Sequence, residues 1–428
     1  MKTTTVLFSI LIFVSTSAFA DPLRFAVSTE LQSFYLNPKN SSNLFSKYEF
    51  KTFGQYDLTK NLSFKADMSV NYVQLSSKQD QKQTVFNPNE LGFKGSLGIF
   101  DYQLGSWTVV PEGTDLNNIF DVVHAKDYRQ PFASENLAST GILIKSHAFN
   151  FDYSLFYIPT NRKSILPDTQ SPWWPRTDTF PIQSNSGTFY LPDNTTYLYR
   201  NETDVKKPFA DNFGATGKLS FSFIDFHLFY FSGANQIPQI SPHITVDTIS
   251  LTPLIGNIRG PIDIDLAWIK SEHLGGGFSS TLGPVIVKSF CKNEKDFYAD
   301  ETSPSTSCTA AVESGFNIYK STFHYFLQVN RLWREHDVSK ELETLLGFFD
   351  KSTALGFLVD VGSESNLSGA VIYNEKSPSV LSSLHYEINW TDRFKTNLAV
   401  NVLTVGNEPL TKSYDATDNV SLKLSYNF

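Results

Sequence analysis

The densest set of reactive side chains in this sequence lies in one stretch. Between 111 and 137 (PEGTDLNNIFDVVHAKDYRQPFASENL) stand Asp115, Asp121, His124, Lys126, Asp127 and Arg129. Acids, bases and an imidazole this close together are the raw material of acid–base catalysis, or of a charged passage. The rest of the chain argues against catalysis. It holds no G-x-S-x-G and no H-E-x-x-H motif, and its eight histidines are scattered. Arg334-Glu335-His336-Asp337 also sets a histidine among charges, and a charged outer loop explains that run more simply. A metal site is not expected from two cysteines with no histidine beside them, and no cofactor is expected. The chain reads as a non-enzyme.

The two cysteines, Cys291 and Cys308, flank KNEKDFYADETSPSTS, which is polar and rich in turn formers. In an oxidising compartment the pair is expected to form a disulfide closing a surface loop; two free thiols are the alternative. The N-terminus points to such a compartment. Lys2 precedes an apolar run from Val6 to Val14 and an A-x-A site at Ala18-Phe19-Ala20. Residues 1–20 are therefore expected to be a signal peptide cleaved after Ala20, with 21–428 as a single domain. No cysteine follows the cleavage site, which excludes lipoprotein processing.

The elements that must position these residues are strands. Leu62, Phe64, Ala66, Met68, Val70 and Tyr72 alternate with Ser63, Lys65, Asp67, Ser69 and Asn71. The period of two gives one oily face and one wet face. A soluble sheet with one solvated face would alternate too. The length of the run, however, exceeds the ~5–6 residues of a soluble strand and matches the ~9–11 of a tilted membrane strand. The chain ends on the same rhythm, with Val420, Leu422, Leu424, Tyr426 and Phe428 on one face. This ending resembles the C-terminal strand of bacterial outer-membrane β-barrels, whose terminal phenylalanine is their hallmark. The resemblance implies that Phe428 is an assembly signal read by the barrel-assembly machinery.

Connections alternate in length. Short turns are expected at Leu58–Leu62, Gly98–Phe100, Lys145–His147, Phe221–Ile224, Leu282–Pro284, Lys320–Ser321 and Trp390–Phe394. Long ones are expected near 76–88, 111–137, 159–212, 233–243, 293–308, 333–352 and 405–417. Sorting by parity into short periplasmic turns and long outer loops is the topology of a transmembrane barrel. About 20 strand candidates can be counted, with both ends periplasmic. Alternation is weakest around Leu274–Lys292, where Gly275, Gly276 and Gly277 cluster, so one hairpin there is expected to be surplus. The fold expected is an all-β, antiparallel up-and-down barrel of 16–20 strands, with 18 as the central value.

Composition agrees. Phe and Tyr number 37 and 19, and aromatics make up 14% of the chain. Mean hydropathy is only −0.21, as expected when alternate residues face lipid and aromatics gather in girdles. The net charge of −8 disfavours nucleic acid. Arg24, Glu30, Lys51, Lys65, Asp67, Asp101 and Glu387 are expected to face the lumen. Their signs are mixed, so no dedicated anion pathway is indicated.

Two loops are candidates for function. In 111–137, Asp115 could cap a short helix with Leu116, Ile119, Phe120 and Val123 as its apolar stripe. Trp107, Asp115, Asn118, Asp121, Asp127, Tyr128 and Arg129 resemble a loop of porin-like barrels. They depart from it at Ser106-Trp107-Thr108, where a Trp-Gly pair is typical. The resemblance implies a loop folded into the lumen, with Asp115, Asp121, His124, Lys126, Asp127 and Arg129 at a constriction; the alternative is an ordinary loop on the rim. The second loop, 159–212, carries Trp173, Trp174, Tyr197, Tyr199 and Arg200, which either recognise a sugar or a partner protein or pack the loop into a lid.

The reading is an outer-membrane porin for passive diffusion of small hydrophilic solutes, surrounded by lipid and lipopolysaccharide, with homotrimer formation common among porins of this size. The alternative is a barrel whose outer loops serve adhesion or recognition, or a structural role without transport. Known enzymatic barrels are smaller, and a TonB-dependent receptor, with its plug and larger barrel, would not fit in about 408 residues.

Overall fold

The computed structural model describes residues 24–35, 43–75, 83–169, 171–174, 179–181, 187–190, 196–251, 254–298, 302–319, 321–334, 350–362, 364–375, 378–404 and 417–428. The chain begins with β1 (Arg24–Phe34), β2 (Leu44–Thr59), β3 (Leu62–Leu75), β4 (Gln83–Leu97) and β5 (Phe100–Trp107). Two minimal strands, β6 (Lys126–Asp127) and β7 (Glu135–Asn136), lie in the next connection, before β8 (Ser139–Ala148) and β9 (Phe151–Thr160). Then come β10 (Thr179–Pro181), β11 (Gly187–Tyr190), β12 (Tyr197–Asp204), β13 (Ala210–Ser220), β14 (Ile224–Ala234), β15 (Gln239–Leu251) and β16 (Leu254–Trp268). The last third holds β17 (Lys270–Leu282), β18 (Val285–Phe297), β19 (Thr302–Ile318), β20 (Ser321–Arg334), β21 (Lys351–Val361), β22 (Ser365–Asn374), β23 (Ser379–Asn389), β24 (Phe394–Thr404) and β25 (Asn419–Asn427).

Eighteen of these strands form one antiparallel sheet in which each pairs with its chain neighbours, β5 with β8, β9 with β13 and β14 with β17 across the connections. The sheet closes on itself. β25 pairs with β1, Leu31 opposite Leu422, and the Phe428 N–H donates to the Phe25 carbonyl at 2.8 Å. Closure leaves no unpaired edge, so the wall can stand in a medium without water. The alternation sets its two faces. Leu228, Leu355 and Leu422 are exposed on the outside, while their neighbours His227, Ala354 and Ser421 are buried. Apolar outside and polar inside is the inverse of a soluble core. At the short-turn end Phe149, Phe223, Tyr319, Trp390 and Phe428 are exposed, as in an interfacial aromatic girdle. Among the described residues no helix is long and apolar enough to cross a membrane, which says nothing of strands.

The barrel has the central number of strands expected. Three sequence-level expectations are corrected. Lys145–His147 lies within β8, and the turn falls at Phe149–Asn150, with Phe149 in the left-handed region (φ 56°). No glycine or proline marks that turn, so local chemistry could not locate it. The segment 293–308 is not a loop but the ends of β18 and β19, and the connection spans only 298–301. Cys291 and Cys308 are bonded, and they face each other directly across the two strands. The glycine-rich hairpin is part of the wall. The surplus one is β15–β16, which joins β10, β11 and β12 in a second, five-stranded sheet at the long-loop end. There β11 and β12 add to β16 in parallel, with Tyr197 opposite Ile262.

The inverted faces give a stability prediction. Leu355→Arg, near the middle of an outward face, is expected to cost about 2–4 kcal/mol in denaturant unfolding from lipid vesicles. Ala354→Ser, one residue away and inward, should cost far less. Equal losses would mean that the faces are misassigned. A thiol reagent should label both cysteines only after treatment with reductant, since the pair is bonded in the native wall; labelling of the untreated protein would show free thiols.

Candidate functional site

The connection between β5 and β8 turns into the barrel. Trp107, Ile119, Phe120 and Val123 form a buried cluster with Leu143, Phe156, Ile158, Phe229, Phe231 and Phe290. The wall members of this cluster alternate with exposed Leu155, Tyr157 and Leu228, so they point inward. Phe120 sits 5.1 Å from the Phe229 ring and edge-on to Phe290 at 5.6 Å. Burying one such ring is worth ~1.5–3 kcal/mol. The wall is bare where Phe120 lies: a Cβ on Gly275 would come within 2.5 Å of its Cε1. Gly275, one of the glycines that blur the strand pattern, thus leaves room for the loop.

Of the expected stripe Leu116, Ile119, Phe120 and Val123, the last three are buried in this cluster and Leu116 is not, and the segment is not helical. Asn118 accounts for the difference. Its side-chain oxygen accepts from the Phe120 N–H at 3.0 Å, its amide donates to the Pro111 carbonyl at 2.6 Å, and its carbonyl accepts from the Asp121 N–H. These local bonds replace the helical ladder. Asp115 caps nothing; it pairs with Lys288 of β18 at 3.1 Å.

The polar residues of the loop divide by position. Asp121 and Lys126 pair at 2.8 Å and line an open cavity. Asp127 and Arg129 form a buried fork with each other, Nη2 to Oδ2 at 2.5 Å. His124 is fully buried at the root of the loop, with Nε2 2.8 Å from the Val109 N–H and Nδ1 2.8 Å from the Ser139 hydroxyl. Burial pushes its pKa from 6.5 down to about 4, against the pull of Asp121 and with the push of Lys126.

Several tethers had no signal in the sequence. Glu135 pairs with Lys47 of β2 at 2.7 Å, and Glu112 with Lys218 of β13 at 3.3 Å. The Gln130 amide donates to Glu30 at 3.3 Å, and Gln328 of β20 accepts from the Leu116 N–H at 3.3 Å. Gln236 donates to the carbonyls of Asp121 and His124, both at 2.8 Å. The loop therefore meets the wall from β1 round to β20. Beside it a cavity of about 290 Å³ remains, between Asn117, Asp121 and Lys126 of the loop and the inner faces of β18, β19 and β20.

The strand residues expected in the lumen share the inward register. Glu30 lies between exposed Val27 and Leu31, Lys51 pairs with Glu49 at 3.2 Å, and Lys65 pairs with Glu90. Asp67 accepts from Asn89 at 3.0 Å and Glu387 lies 3.8 Å from Lys395. Arg24 and Asp101 occupy the same register as Glu30 and Trp107 respectively.

In the second loop both tryptophans are covered. Trp173 meets Phe34 edge-on at 5.3 Å in a cluster with Phe45, Val73 and Leu75, and its indole N–H donates to Gln32 at 3.3 Å. Trp174 packs on Tyr197, Tyr199, Ile258 and Ile262. Arg200 is half-exposed and paired with Asp263 at 2.7 Å. Tyr199 is partly exposed, and its hydroxyl donates to the Pro167 carbonyl at 3.2 Å. The segment thus reaches from β9 to the inner face of β1–β3.

No protein-family model and no curated protein sequence matches the chain. Solved structures do. OccK2 (OpdF) of Pseudomonas aeruginosa superimposes with a TM-score of 0.52 at 9% identity over 96% of this chain and 99% of that one. The same protein in complex with glucuronate gives 0.51 at 9% identity, over 97% and 99%. OccAB4 of Acinetobacter baumannii gives 0.50 at 11% identity, over 95% and 97%. At these identities the likeness is one of fold: the chain has the fold of bacterial outer-membrane porins.

His124 supplies a pH prediction. Its folded-state pKa lies below its unfolded one, so the neutral ring contributes stability that is fully present above pH 6.5 and is lost as pH falls through about 4. Hydrogen-exchange protection factors of 108–138, corrected for intrinsic exchange at each pH, should be constant from pH 8 to 7 and fall towards pH 4. His124→Gln should remove that acid step; an unchanged acid step in this variant would show that another group controls it.

Proposed function

We propose that the chain is an outer-membrane porin, a water-filled channel for passive diffusion of small hydrophilic solutes, with 111–137 as its constriction. One observation carries the reading. The loop is packed on inward phenylalanines on one side, while a polar cavity stays open on the other. A segment fixed on both flanks narrows a passage without sealing it, and groups facing that passage set its cut-off in size and charge. In this reading Asp121 and Lys126, with Asp115 opposite Lys288, are the charges a solute passes. Asp127, Arg129 and His124 hold the loop in place, and the channel needs no catalytic group. Export by a cleaved signal peptide, an outer leaflet of lipopolysaccharide, assembly through Phe428 and a homotrimer belong to the same proposal. Recognition by the second loop receives less support, because Trp173 and Trp174 are covered and Tyr197 packs on Trp174, which leaves Tyr199 and Arg200 as its exposed candidates.

Purified protein in planar bilayers should give steady single-channel steps. A folded, heat-modifiable barrel without current would sink the porin reading and favour a recognition or structural role. Deleting 113–130 should raise conductance severalfold, since the stretch crosses the interior. Unchanged conductance and ion selectivity would remove this loop from the constriction.

A further inference from the structure

Three serines of β19 stand in a row above the in-folded loop. Ser303, Ser305 and Ser307 take alternate positions, so they share the inward face at a repeat of roughly 6.7 Å. Thr309 continues the row, its hydroxyl 3.2 Å from that of Thr114 in the loop. All three serines line the cavity of about 290 Å³. Among the described residues their side chains make no hydrogen bond. Two other inward serines are engaged: Ser139 and Ser352 bond to Asn161 and Asn330.

The cations around the row are each held by an acid. Lys126 is held by Asp121 at 2.8 Å, Lys292 by Glu294 at 2.9 Å, and Arg331 by Glu375 at 2.8 Å. Asp296 accepts from Asn235 at 3.1 Å. An anion entering here would shed water against cations already paired, with little to replace it. A neutral polyol loses less. Each of its hydroxyls trades a bond to water for one to a serine that can both donate and accept. The volume lies at the lower bound of small-molecule pockets, ~300 Å³, which suits one sugar ring.

We propose that this cavity is a binding station for neutral, hydroxyl-rich solutes of monosaccharide size, with Ser303, Ser305 and Ser307 as its ladder. The proposal rests on the channel reading above and names the solute class that reading leaves open.

The test compares glucose with glucuronate, which share a ring and differ in one charged group. Full-length protein is reconstituted in vesicles for influx and in planar bilayers for ion current. Glucose should enter severalfold faster than glucuronate. Replacing all three serines by alanine (S303A, S305A and S307A together) should bring that ratio close to one, with ion current retained. Replacing all three by threonine keeps the hydroxyls and should preserve the ratio. Heat-modifiability on gels checks folding of both variants, and the ratio in the unaltered chain is a measurement independent of either. Equal or faster entry of glucuronate, or an alanine variant with the original ratio, would overturn the solute assignment while the ion current still supports a pore. Absence of current in a folded barrel would overturn both.

Discussion

The structure follows from one constraint: a backbone placed where there is no water must find every hydrogen bond within itself. A sheet meets it only by closing, and here β25 closes onto β1 through nine consecutive register partners. Closure fixes much else. Both strand partners become sequential, the turns sort to one end and the loops to the other, and each strand must present alternate residues to two unlike media. Buried His227, Gln328 and Asn330 beside exposed Leu228 and Leu327 are the result.

A ring of eighteen strands encloses more space than its own side chains fill. The connection between β5 and β8 takes up part of it. Its apolar side is held by Phe156, Phe229, Phe231 and Phe290, and its charged groups are held by Lys47, Lys218 and Lys288 on three separate strands. The two kinds of contact do different work. Ring packing against bare glycine backbone sets how deep the loop lies, whereas ion pairs to several strands fix its lateral position. The second loop covers the mouth over β1–β3, anchored by Trp173. The polar cavity beside β18, β19 and β20 lies on a different side of the opening, so the interior is asymmetric.

Legibility in the sequence followed the range of the interaction. The alternation in Leu62–Tyr72 and at the C-terminus identified wall strands directly, because a strand's faces depend only on positions two apart. The Cys291–Cys308 pair was legible as a bond, but its setting was read as loop because polar residues in a barrel strand look like loop residues. The turn at Phe149 had no local mark. In the candidate site the charged residues of 111–137 were visible as a group, and the stripe Ile119, Phe120 and Val123 was found. Its helical form was not, since Asn118 bonds locally instead. Gly275 registered only as a flaw in the pattern, although Phe120 is what requires it.

The sequence alone therefore determined the class of the molecule: a two-residue period, repeated over long strands with loops sorted by parity, admits a closed barrel of about this size. It could not determine which charges face the passage and which neutralise one another. Asp115 meets Lys288 across 173 positions, and Glu135 meets Lys47 across 88. Only the closed wall brings such residues together. Burial then divides the cluster, sealing His124, Asp127 and Arg129 into the loop's anchorage and leaving Asp121 and Lys126 beside open space.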